Sequence, residues 1–228
     1  MESLPVELLE LINGHLSYAD RMALHHTNPH VPSPMIEFAE KYLPCEWSVF
    51  SEQLRCTEAV IGGSTALRFF SYVDFRPNDL DIYGPIYSLP DWEDFFRDHG
   101  FQENRLMRQL IYYCGAKVVN KLEYTRGSMV VQYIYGLPAN DVDNTANRCT
   151  LSNKEALCPH YNDVKENRTV FHVNNTCRIA KMMARGFKVE LKPPPEPATI
   201  KTWLFNTFVR RQKREEVENR TEHRVKLA

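Results

Sequence analysis

An α+β protein is predicted, with a mixed sheet and flanking helices, preceded by a small helical segment. Three features carry that expectation. Apolar residues recur at helical spacing through about the first forty positions; a short strand, a glycine turn and a helix then follow one another from Ala59 to Phe70; and two β-rich runs flank Gly127-Ser128, a pair suited to a hairpin turn.

The first helix has Leu4, Leu8, Leu11, Ile12 and Leu16 on one face, with Pro5 in its first turn. Ser17 is placed to cap a second helix, and Ser33-Pro34 to start a third that Pro44 ends. These make a helical segment over residues 1–45. The main domain is expected over 46–190. In it Ala59-Val60-Ile61 is strand, Thr65 to Phe70 helix, and Leu80-Asp81-Ile82-Tyr83 a half-buried strand stopped by Gly84-Pro85. A helix through Trp92, Phe95 and Phe96 ends near Gly100. The hairpin from Lys117 to Gly136 places Glu123 opposite Gln132. Residues 140–167 are polar and give no clear period. Asn175 caps a helix with Ile179, Met182 and Met183 on one face and Gly186 past its end. Residues 191–228 read as a proline spacer (Pro193, Pro194, Pro195, Pro197) and a charged C-terminal helix.

Composition narrows the function classes. The 228 residues carry 28 basic and 29 acidic side chains, a net charge of −1, and 43% are apolar, so a packed core is expected and disorder throughout is not. The balance of charge argues against a general nucleic-acid binder, though local basic patches stay open. No apolar run approaches the roughly 20 residues that cross a bilayer. Glu2 and Glu7 stand where a secretory signal wants positive charge, so no membrane and a cytoplasmic or nuclear location are expected. Six cysteines without CxxC spacing predict reduced thiols. Cys149, Cys158, His160, His172 and Cys177 match no zinc-ligand spacing, and the charged run from Arg210 reads as a solvated helix face.

The chemistry-bearing stretch is Ile61-Gly62-Gly63-Ser64 followed by Asp79-Leu80-Asp81. Alternate residues of a strand share a face, so Asp79 and Asp81 present two carboxylates side by side, hard oxygen ligands suited to Mg²⁺ with a nucleoside triphosphate. Glycines let backbone approach phosphate, and Ser64 with the first N–H groups of the next helix would bind its oxygens.

From Val60 to Tyr83 this pattern resembles the nucleotidyltransferase-fold superfamily that contains DNA polymerase β. It is similar to the version in abortive-infection-toxin nucleotidyltransferases and a group of fungal proteins. The resemblance implies a nucleotidyltransferase-like domain with Asp79 and Asp81 holding Mg²⁺, Gly62, Gly63 and Ser64 holding the triphosphate, and Lys181 neutralising it. Nucleotide transfer to a protein or RNA hydroxyl is the implied reaction. The sequence departs from the family at the third metal-binding carboxylate, where the neighbouring strand offers Gln132. Glu123, across from it, is the first substitute, and Asp141 or Asp143 the next. The acidic residues that follow the lysine in the toxins are also missing. The N-terminal segment, with Leu4-Pro5, Glu7-Leu8-Leu9 and His15-Leu16-Ser17, resembles the F-box, which implies that Leu4, Pro5 and Leu8 contact a Skp-type adaptor. Two classes stay open: a metal-dependent transferase, and an inactive binding module acting as an F-box-type adaptor in a ubiquitin ligase.

Overall fold

The computed structural model describes residues 6–28, 31–104, 109–113, 117–136, 139, 144–172, 175–192 and 223–227. Four helices open the chain: α1 (Val6–Gly14), α2 (Tyr18–Thr27), α3 (Pro34–Tyr42) and α4 (Trp47–Thr57). Ser17 Oγ accepts from the Asp20 N–H and Ser33 Oγ from the Met35 N–H, so both expected caps are made. Next come β1 (Val60–Gly62), α5 (Gly63–Phe70), β2 (Leu80–Tyr83) and α6 (Leu89–Asp98). Strands β3 (Gln102–Glu103), β4 (Gln109–Tyr113), β5 (Lys117–Arg126) and β6 (Met129–Tyr135) follow. The stretch without a legible period holds β7 (Thr150–Leu151), β8 (Glu155–Cys158) and the short α7 (Tyr161–Lys165). The remaining elements are β9 (Arg168–Phe171), α8 (Thr176–Ala184), β10 (Lys188–Leu191) and β11 (His223–Lys226).

Nine strands form one mixed sheet in the order β11, β8, β7, β1, β2, β6, β5, β3, with β4 also paired to β5. Its centre holds the site: β1 runs antiparallel to β2, β2 parallel to β6, and β6 antiparallel to β5. Gly127, at φ +58°, turns the hairpin, and Glu123 does pair with Gln132. A separate parallel pair joins β9 and β10. No helix among the described residues is long and apolar enough to cross a membrane.

One side of the central strands is saturated with carbon. Ile61, Leu80, Ile82, Val131 and Tyr133 are buried, covered by Trp92 and Phe96 of α6 and by Phe50 of α4. The first helices join the same cluster: the Phe38 ring packs edge-on to Phe69 of α5 at 5.4 Å, and Tyr18 stacks on Phe69 at 6.3 Å. Asp20 of α2 accepts from the hydroxyls of Tyr72 (2.6 Å) and Tyr161 (3.2 Å), so the N-terminal helices are tied to distant parts of the chain by hydrogen bonds as well.

Several expectations are corrected. The run from Trp47 to Thr57, unassigned from sequence, is helix α4. On α8, Met182 is buried and Ile179 packs on the core, but Met183 faces solvent. Within the stretch expected to be a charged C-terminal helix, His223–Lys226 instead form an edge strand on β8: Val225 is buried on the side it shares with His223, and Arg224 and Lys226 are exposed on the other. Leu4, Pro5, Asp141, Asp143, the prolines at 193, 194, 195 and 197 and the run from Ile200 through Arg210 lie outside the described residues. Cys149 and Cys158, scattered in sequence, are buried neighbours with sulfurs 3.3 Å apart, both free thiols.

Candidate functional site

Strand register assembles the site. Gly62 pairs with Asp81, Asp81 with Gln132, and Gln132 with Glu123, so one row crosses β1, β2, β6 and β5 on a single face of the sheet. The chain leaves β1 at Gly62 and enters α5 through Gly63, whose φ of +60° an L side chain rarely adopts. A Cβ on Gly63 would lie 2.0 Å from Asp81 Oδ2, and one on Gly62 would lie 2.6 Å from the Tyr83 ring. Both glycines are therefore demanded by close approach. Thr65 Oγ1 donates to the Asp79 carbonyl at 3.0 Å and pins the loop before β2 to the start of α5.

The carboxylates are held differently. Burial and the neighbouring Asp79 charge push the Asp81 carboxyl up to about 7, while Arg178, Lys121 and Lys181 pull the other way. Glu123, also buried, accepts from Asn104 Nδ2 at 3.0 Å and from Gln132 Nε2 at 3.2 Å. Its oxygens are thus engaged within the sheet, one strand beyond Gln132. Among the described residues no three His, Cys, Asp or Glu side chains converge on a point that a metal ion would occupy. A neutral amide, Gln132, stands between Asp81 and Glu123 in the row, and an amide is a weaker ligand for a divalent cation than a carboxylate.

Four cations stand around the two aspartates. Lys121 shares its face of β5 with Glu123 two residues on. Arg178, Lys181 and Arg185 lie three and four residues apart and share one face of α8 and the turn that follows. Arg185 is 9% exposed, its guanidinium lies 4.6 Å from the centre of the Phe75 ring, and its Nη2 has no hydrogen-bond partner among the described residues. Burial lowers its pKa, and the charges of Asp79 and Asp81 oppose that fall. The sequence reading found Lys181 alone. The spacing Arg178, Lys181, Arg185 was the signal for the rest, whereas Lys121 becomes visible only through the sheet register. The Ser64 hydroxyl is buried and likewise without a partner among the described residues. Beside Asp79 a cleft of about 310 Å³ opens between Tyr42, Arg76, Asn78 and Ser128.

No protein-family model matches the chain, and no curated protein does. Among solved structures it is similar to a CCA-adding enzyme in complex with CTP (TM-score 0.42, 12% identity, 76% of this chain and 46% of that one). It is also similar to a CCA-adding enzyme in complex with ATP (TM-score 0.41, 12% identity, 68% and 42%) and to an apo form (TM-score 0.36, 14% identity, 74% and 43%). The chain spans less than half the length of these proteins.

Proposed function

We propose that the protein is nucleotidyltransferase-like and binds a nucleoside triphosphate where β1 turns into α5. The observation that carries this is the Gly62-Gly63-Ser64 turn, which brings bare backbone against Asp81 and opens α5 toward the same point. The first N–H groups of a helix have no intrahelical partner and favour phosphate oxygens. Lys181 and its neighbours on α8 would neutralise the triphosphate, and the turn would orient it. Transfer to a hydroxyl of protein or RNA is the implied reaction, with the acceptor entering from the cleft beside Asp79. A third free carboxylate is missing from the row, so binding is expected to be stronger than transfer. The Mg²⁺ of the family would have only Asp79 and Asp81 as charged ligands.

The test is the melting temperature of the full chain with each of the four ribonucleoside triphosphates, against free nucleosides. A ligand well above its Kd raises stability by about 2–4 kcal/mol. Lys181→Ala is expected to reduce the shift, and Gly63→Val to remove it. No shift with any triphosphate overturns the reading.

A second reading rests on α1, where Leu8, Leu11 and Ile12 are 46%, 61% and 40% exposed. These share one helical face, as a helix docking on a partner requires. The F-box resemblance makes a Skp-type adaptor the partner to test. Leu8→Asp with Leu11→Asp is expected to abolish co-purification with the adaptor while the melting temperature stays unchanged; no binding by the wild-type chain at micromolar concentrations rejects it.

A further inference from the structure

We infer that this site takes a polyphosphate chain without a divalent cation, its positive charge supplied by Lys121, Arg178, Lys181 and Arg185. The inference rests on the triphosphate-binding reading and concerns how the charge at that site is balanced.

In a metal-assisted site a cation bridges protein carboxylates and phosphate oxygens, and the carboxylates exist to hold it. Here the third place in the row is the neutral Gln132, whose Nε2 is committed to Glu123, and Glu123 is committed to Asn104 as well. The two remaining carboxylates stand among four protein cations: Lys121, Arg178 and Lys181 act on Asp81, and Arg185 feels both aspartates. A divalent ion entering that surrounding gains two charged ligands and meets four like charges, whereas a polyanion meets four opposite ones.

Arg185 supplies the independent sign of a ligand. It is nine-tenths buried beside the aspartates, and its Nη2 donor has no partner among the described residues. A buried donor left unmade costs free energy, and a guanidinium is matched best by the paired oxygens of a phosphate. The face of α8 and the following turn that carries Arg178 and Lys181 leads to that donor. Bare backbone at Gly62 and Gly63 admits the chain from the opposite side.

The experiment is calorimetric titration of the full chain with ATP, inorganic triphosphate and adenosine, each in excess chelator and in excess Mg²⁺. ATP is expected to bind in chelator within about threefold of its affinity in Mg²⁺, a difference under about 0.7 kcal/mol. Tighter binding of ATP than of inorganic triphosphate assigns the ligand as a nucleotide; equal binding assigns the polyphosphate chain alone; adenosine is expected not to bind. Arg178→Ala with Lys181→Ala is expected to weaken binding in chelator by about tenfold or more, because two of the four cations are lost. Arg185→Lys, which keeps the buried charge but not the fork, gives a second reading if the double variant folds poorly, and should weaken binding too. Asp79→Asn with Asp81→Asn is expected to tighten binding in chelator, because it removes the opposing charge. Binding only in Mg²⁺, abolished by that aspartate pair, overturns this inference and leaves triphosphate binding standing. No binding in either condition overturns both.

Discussion

Strands β2 and β6 present two faces built on one register, and the faces have opposite chemistry. Leu80, Ile82, Val131 and Tyr133 point to one side and are sealed beneath α6. Asp81 and Gln132 pair across the other, continued by Glu123 on β5 and bare backbone at Gly62. On the first side rings and aliphatic chains are packed against one another, so a change there is chiefly a change of volume. On the second the side chains are accounted for by one another and by nearby cations, so a change there is a change of charge. The apolar side thus supplies the stability against which a row of costly polar groups is held in place.

The largest loss is expected on the apolar side. Trp92 is fully buried, its ring lies 5.3 Å from that of Phe96 and 6.1 Å from that of Tyr133, and its Nε1 donates to Thr57 Oγ1 at 3.0 Å. Trp92→Ala is expected to cost about 3–5 kcal/mol in chemical denaturation. A loss under about 1 kcal/mol would mean that α6 does not seal the sheet as described.

On the polar side the steric analogue is Gly63. Gly63→Ala drives a methyl into the Asp81 carboxylate and is expected to cost roughly 1–3 kcal/mol. Asp81→Gly removes the obstacle, so in that background Gly63→Ala should cost the backbone strain alone, about 1–2 kcal/mol. An equal cost of Gly63→Ala in the two backgrounds would show that the contact with Asp81 is not what requires a glycine.

The sequence made the polar face legible in part. Asp79 and Asp81 announce themselves by strand alternation, and Glu123 was placed opposite Gln132 by counting from a glycine turn, because hairpin register is local. Lys181 was reached only through the family resemblance, and not from its spacing along the helix. What could not be read was long-range: that β2 lies beside β6, bringing Gln132 next to Asp81, and that Asn104, far from both, engages Glu123. Residues 140–167 failed for a related reason. The strands β7 and β8 are two and four residues long, too short for a period to show, and they are fixed by partners in β1 and β11.

On the polar side the charge of Asp81 sets the next largest effect. Burial and the neighbouring Asp79 raise its folded carboxyl to about 7, against 3.8 for a free aspartate. Between those pH values the unfolded chain releases the proton first, so stability falls as pH rises from about 4 to 7, and below about 4 both states are protonated and nothing is lost. Asp81→Asn is therefore expected to stabilise the ligand-free protein near pH 7 by about 1–2 kcal/mol, solvent at the half-buried carboxyl trimming the full linkage value, and to make no difference near pH 4. A destabilised variant at pH 7 would mean that the four cations hold Asp81 ionised.

Glu37 is the counter-case and carries the smallest effect. Burial alone would raise its carboxyl, but hydrogen bonds from Arg21 at 2.5 Å, Lys41 at 2.7 Å and Tyr18 at 3.0 Å outweigh it and hold the group down at about 2, against 4.5 for a free glutamate. The sign reverses: this carboxylate contributes stability above about pH 4.5 and loses it as pH falls toward 2. Because the network is partly open to solvent, Glu37→Gln is expected to cost only about 0.5–1 kcal/mol at pH 7. The two denaturation curves should converge as the pH approaches 2, where the wild-type carboxylate is itself protonated. Asp81→Asn and Glu37→Gln remove the same charge and are expected to move stability at pH 7 in opposite directions. The same direction for both would show that burial, rather than the identity of the neighbours, decides what a carboxylate contributes in this protein.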